Sequence, residues 1–177
     1  MKTYRVTGAS ISIVNGAEPA YIKHFGLADK KRNISVGDST LFKIGSITKV
    51  FTASAVMQLA EQGKIDIDKP IKDYIPEFSV KSRFNGARPI TVRDIVCHHS
   101  GLPCDNLSGY FTEDLRAFHS VIPYLHNAFT VCPPGEMFYY SNIGYELLGV
   151  LVNRISGLPF HDYVETMILN FRTTPLT

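Results

Sequence analysis

Ser46 and Lys49 stand three positions apart, and nowhere else in the 177 residues does a lysine follow a serine at that spacing. A helix opening at Ser46 puts the hydroxyl where backbone N–H groups lack partners and the macrodipole is positive. An alkoxide or oxyanion is stabilised at such a point. Lys49 then falls one turn on, on the same face. On a helix made for burial its amine loses hydration, desolvation favours the neutral form, and it could accept the Ser46 proton. A nucleophile, a base and a positive field together make an acyl-transfer constellation. The bland alternative is a serine that merely caps a helix and a lysine that snorkels to solvent.

The second candidate group is Tyr140-Ser141-Asn142, placed just before a helical pattern. Tyr140 could shuttle protons if nearby positive charge held it as phenolate, against a reference pKa of about 10. Asn142 offers both a donor and an acceptor to a substrate amide. Taken alone, Ser141 or Asn142 reads equally well as a helix N-cap and Tyr140 as half-buried packing. No metal site and no cofactor are expected: the six histidines never form H-E-x-x-H, and no cysteine pair has C-x-x-C spacing. The odd set Cys97, Cys104 and Cys132 does not make a disulfide framework.

The elements that must position these residues can be read in order. Residues 9–14 (ASISIV) alternate, Asn15-Gly16 signals a turn, and residues 20–25 (AYIKHF) return as a second strand. Residues 26–40 read as polar, turn-rich chain. From Ser46 the period becomes helical, and the surface is small and apolar almost all round, which predicts a buried helix ending at Gly63. Thr91-Val92-Arg93-Asp94 fits a capping box opening a short helix. A further helix is expected within residues 114–129, Cys132-Pro133-Pro134-Gly135 breaks the chain, and a helix follows over 142–156. Gly144 and Gly149 on that helix allow close packing, Gly157 ends it, and Pro159 starts the next.

Composition narrows the function classes. Apolar residues make up 45% and charged residues 19% of the chain, a globular balance. A net charge of +2 is too little, and too evenly spread, to imply nucleic acid or an anionic membrane as the main partner. Nothing approaches the roughly 18 consecutive apolar residues of a membrane span. As written, without a signal-peptide pattern at its start, the chain is expected to stay in the cytoplasm.

Together the stretches LFKIGSITKVFTA (41–53), LAEQGKIDI (59–67), ITVRDI (90–95), HHSGLP (98–103), Pro134-Gly135 and YYSNIGY (139–145) resemble the serine β-lactamase-related family. That family also contains penicillin-binding proteins, D-aminopeptidases and esterases, and the likeness is nearest to its class C-like branch. The resemblance implies an α+β fold of β-lactamase/transpeptidase type, with N-terminal antiparallel strands plus a helical region. It implies that Ser46 is the acylated nucleophile and that Lys49 holds or accepts its proton. Tyr140 would be the general base or a hydrogen-bonded relay, and Asn142 would bind the substrate amide. The partner would be a small molecule or peptide: a β-lactam, a D-amino-acid peptide or an ester. Relatives often work outside the cytoplasm.

The family's third motif, Lys-Thr-Gly or a variant on a later strand, has no counterpart: no lysine follows Lys81. The chain is therefore expected to be a single incomplete domain over 1–177, missing the C-terminal strands. In the family that strand supplies one oxyanion-hole N–H, and losing one such donor typically costs about 10²–10³ in rate. The N-terminal strand would also keep an open edge suited to self-association. Two readings follow: a serine hydrolase impaired in this chain, or a non-catalytic remnant or interaction module retaining the helical scaffold. An α/β-hydrolase is rejected, because no glycine stands two residues after Ser46.

Overall fold

A computed structural model describes residues 6–106 and 121–170. The chain divides into two compact units, Met1–Gly45 and Ser46–Thr177.

The first unit is built on a hairpin. Strand β1 (Gly8–Asn15) pairs antiparallel with β2 (Glu18–Asp29), and a short β3 (Ile34–Ser35) adds to the far side of β2. Gly16 in the connecting turn has φ +64°, the left-handed conformation that the Asn-Gly signal supplies. The returning strand is longer than the sequence predicts, and β3 lies within the stretch read as turn-rich. Both extensions come from cross-strand pairing, Leu27 with Ser35 and Asp29 with Ile34, which local pattern does not reveal. β1 is an edge strand among the described residues, and Ile11, Ile13 and Val14 on it are exposed.

The second unit is helical and contains a closed apolar core. A 3-10 turn, Gly45–Ile47, leads into α1 (Thr48–Glu61), and α2 is Val92–Val96. Then come α3 (Val121–Leu125), α4 (Asn142–Ser156) and α5 (Phe160–Tyr163), the last continuing as a π-helical turn over Val164–Leu169. The expected helix over 114–129 is helical at Val121–Leu125; its part before residue 121 lies outside the described residues. Leu59, Ile71, Ile75, Ile95, Leu102, Leu125, Leu147 and Leu151 are fully buried and form one cluster. Each such side chain contributes roughly 1.5–3 kcal/mol on burial.

The capping box at α2 is present in full. Thr91 Oγ1 accepts from the Asp94 N–H and the Asp94 carboxylate accepts from the Thr91 N–H. Burial pulls the Asp94 carboxyl up, but the bidentate Arg88 guanidinium and the Thr91 donors outweigh it and hold it below the usual carboxylate range. α4 ends as the sequence predicts, at Gly157 with φ 75°. Its Gly144 lies so close to α2 that an added Cβ would stand 3.0 Å from Ile95 Cγ2.

One expectation is corrected. α1 is not buried all round: Thr52, Ala55, Val56 and Leu59 face the core, while Val50 and Met57 are exposed. An all-round apolar pattern records what a helix can tolerate, and the described elements cover only one of its faces. Among the described residues, no helix is long and apolar enough to cross a membrane.

Candidate active site

Two helix N-termini of the second unit meet at the site. Ser46 sits in the 3-10 turn immediately before α1, and Lys49 lies in the first turn of α1. Ser46 thus stands two residues ahead of Thr48, the first residue of α1. Tyr140 and Asn142 flank Ser141, the N-cap of α4, whose Oγ accepts from the Gly144 N–H at 2.8 Å. That cap is held from behind: Ser141 Oγ donates to the Pro103 carbonyl at 2.6 Å, and the Asn142 N–H donates to the Cys104 carbonyl at 2.8 Å.

The structure brings all four sequence-predicted residues together. The Tyr140 hydroxyl lies 2.7 Å from Ser46 Oγ, across 94 positions of sequence. Lys49 Nζ is 3.4 Å from Ser46 Oγ and donates to Asn142 Oδ1 at 2.5 Å. It also sits 4.8 Å from the centre of the Tyr140 ring and 5.6 Å from that of Tyr145, inside cation–π range. Lys49 is half-buried and does not snorkel away. The neighbouring Lys49 ammonium, and then the Ser46 hydrogen bond, lower the Tyr140 pKa below that of an ordinary tyrosine. Positive charge favours the phenolate.

Four residues of the site were missed by sequence reasoning or given only a scaffold role. Asp105 accepts from Asn142 Nδ2 at 2.6 Å and from the Cys104 thiol at 2.9 Å. Those donors, with the Lys49 charge, hold its carboxyl below the usual range, while the same hydrogen bond pushes the Cys104 thiol up. His98 packs against two tyrosines, with its ring plane tilted 31° to each and ring centroids 4.4 Å from Tyr140 and 4.9 Å from Tyr145. Its Nδ1 accepts from the Ser141 N–H at 3.1 Å, so its proton is on Nε2. Burial, and then the Lys49 charge, lower its pKa. Tyr145 donates to the Val96 carbonyl at 2.9 Å and closes the stack. The sequence signals were the YYSNIGY stretch, which ends at Tyr145, and the HHSGLP stretch, which supplies His98 and leads directly into Cys104 and Asp105. Gly101 inside it has φ +68°, and a Cβ there would stand 2.2 Å from the Cys132 carbonyl. Only glycine lets this segment pass so close to the chain at Cys132.

The arrangement can do one kind of chemistry well. A hydroxyl beside a phenol of lowered pKa and an ammonium is set to lose its proton as it attacks a carbonyl.

The chain is similar to known proteins over nearly its whole length. The beta-lactamase family model matches residues 1–173. A beta-lactamase of Providencia stuartii is 31% identical over 170 residues, covering 96% of this chain and 41% of that protein. The octameric penicillin-binding protein homologue from Pyrococcus abyssi superposes with a TM-score of 0.84 at 32% identity, over 96% of this chain and 40% of that one. A class C beta lactamase superposes with a TM-score of 0.73 at 26% identity, over 97% and 45%. The chain thus spans less than half the length of these relatives. With its small antiparallel sheet, its helical unit and this match across nearly its whole length, the chain belongs to the beta-lactamase family of serine hydrolases and shares the β-lactamase/transpeptidase-like fold.

Proposed function

We propose that this chain carries out serine acyl transfer on an amide or ester through a Ser46 acyl-enzyme. The observation that supports it most is the short contact between the Tyr140 hydroxyl and Ser46 Oγ, 2.7 Å long and overlooked by Lys49. Tyr140, as phenolate, takes the Ser46 proton while Ser46 Oγ bonds to the substrate carbonyl carbon. The carbon–nitrogen or carbon–oxygen bond then breaks, and the leaving group takes the proton back from Tyr140. Water attacks the resulting ester by the same route, freeing the acid and restoring the Ser46 hydroxyl. Lys49 stabilises the phenolate throughout, and Asn142 orients the substrate amide. β-Lactams, D-amino-acid peptides and simple esters all contain the bond this chemistry needs.

Turnover by these 177 residues alone is proposed to be slow. In the family the second oxyanion donor comes with the Lys-Thr-Gly strand, and no lysine follows Lys81 here. The test is intact-mass measurement after treatment with a fluorophosphonate or a penicillin. The expected result is one stoichiometric adduct on the chain and none on Ser46→Ala. A folded chain that takes no adduct, or an adduct that persists in Ser46→Ala, overturns the reading.

One observation favours a second reading, an interaction module. β1 has an unpaired edge among the described residues, with Ile11, Ile13 and Val14 exposed beside it. Such an edge is a template for pairing with another chain. Sedimentation of the purified protein decides it: a concentration-independent monomer rejects self-association through this edge.

A further inference from the structure

We infer that Asp105 is a positioning residue for acyl transfer at Ser46: its carboxylate fixes which way the Asn142 amide faces, and through that amide it fixes Lys49 beside the nucleophile. The inference rests on the reading of Ser46 given above.

The argument starts from the shape of an asparagine side chain. Its oxygen and its NH2 group occupy nearly the same space, so only the partners decide which end points where. The Asn142 oxygen faces Lys49, accepting at 2.5 Å, and its NH2 faces Asp105, donating at 2.6 Å. An ionised carboxylate only accepts, and an ammonium only donates. Turning the amide over would set NH2 against NH3+ and oxygen against oxygen. Asp105 and Lys49 therefore select one orientation between them.

Asp105 is held for this task. Its other oxygen accepts from the Cys104 thiol at 2.9 Å. The backbone just before it is stitched to the start of α4, with Ser141 donating to the Pro103 carbonyl and Asn142 to the Cys104 carbonyl. The remaining contacts of Lys49 are less directional: two aromatic faces, and Ser46 Oγ at 3.4 Å. The Asn142 oxygen is the short, directed anchor of the ammonium, and Asp105 is what turns that oxygen towards it. Without the carboxylate Lys49 alone holds the amide, the anchor of the ammonium loosens, and the cation that favours the Tyr140 phenolate is less firmly placed.

The experiment compares wild type with Asp105→Ala, Asp105→Asn, Asn142→Ala and the Asp105→Ala/Asn142→Ala double variant. Two quantities are read: the rate of fluorophosphonate labelling of Ser46, and the side-chain amide signals of Asn142 in 15N-labelled protein, assigned by their loss in Asn142→Ala. Asp105→Ala is expected to slow labelling about tenfold and to shift the Asn142 signals, while the double variant is no slower than Asn142→Ala alone. Asp105→Asn, which keeps its size and one accepting oxygen, is expected to recover most of the rate, and it serves if Asp105→Ala does not fold. Labelling of Asp105→Ala at the wild-type rate, unmoved Asn142 signals, or losses that simply add in the double variant would each overturn the inference. Should wild type itself take no label, the acyl-transfer reading falls, and the amide signals still decide for or against Asp105: shifted signals support its hold on Asn142, unshifted ones reject it.

Discussion

The two helix ends that form the site are held very differently. At α4, the Ser141 side chain caps the helix, the Pro103 and Cys104 carbonyls accept from residues 141 and 142, and His98 accepts from the Ser141 N–H. The helix behind that end is buried along Ile143, Leu147, Leu148, Val150, Leu151 and Val152. At α1, the N-cap position is Ile47, with no side-chain cap, and only one stripe of the helix is buried. Tyr140 and Asn142 thus stand at the start of the firmly held element, and Ser46 and Lys49 at the start of the more lightly held one.

Substitutions can sharpen or break that contrast. The largest effect is expected from Leu147→Ala, which empties a fully buried position of α4; a loss of about 3 kcal/mol by urea unfolding is expected. A smaller loss, about 1–2 kcal/mol, is expected for Ser141→Ala, which removes the cap of α4 and leaves the Gly144 N–H without its acceptor. Ser46 labelling should slow in the same variant, because Tyr140 and Asn142 flank the cap. Acid supplies a third test. The His98 pKa is lowered from its ordinary 6.5, so its folded-state value lies below the unfolded one. Its contribution to stability is therefore complete above about pH 6.5 and is lost as pH falls through the lowered value, where protonation breaks the bond from the Ser141 N–H. Thermal melts should show a drop of Tm in that window, and His98→Asn should flatten it. The smallest effect belongs to α1: Met57→Ala, on its exposed face, should stay within about 0.5 kcal/mol of wild type. A loss there as large as at Leu147 would show that the two helices are equally enclosed, and the contrast would be gone.

What the sequence revealed follows the range of the interactions concerned. The Asn15-Gly16 turn, the Thr91–Asp94 capping box and the Gly157 helix stop are each decided within a few residues, and each was legible. The Ser46/Lys49 pair was legible because its spacing is that of one helical turn. Its meeting with Tyr140 and Asn142 was legible only through family likeness. The reach of β2 to Asp29 and the pairing of β3 were not, since cross-strand partners carry no local signature. Nor was the role of Asp105, which lies 37 positions from Asn142 and in no recognised motif. The exposed face of α1 was misjudged for a related reason: periodicity measures apolar content, not what comes to lie against it.

The central proposal is that Tyr140, its pKa lowered by Lys49, takes the proton of Ser46. The most direct measurement is the pH dependence of fluorophosphonate labelling in wild type and in Tyr140→Phe. Wild type should label along a rising limb whose midpoint lies below the ordinary tyrosine value of 10.0. Tyr140→Phe should lose that limb and label about 10²-fold more slowly at pH 8. A Tyr140→Phe variant that labels at the wild-type rate with the same profile would contradict the claim.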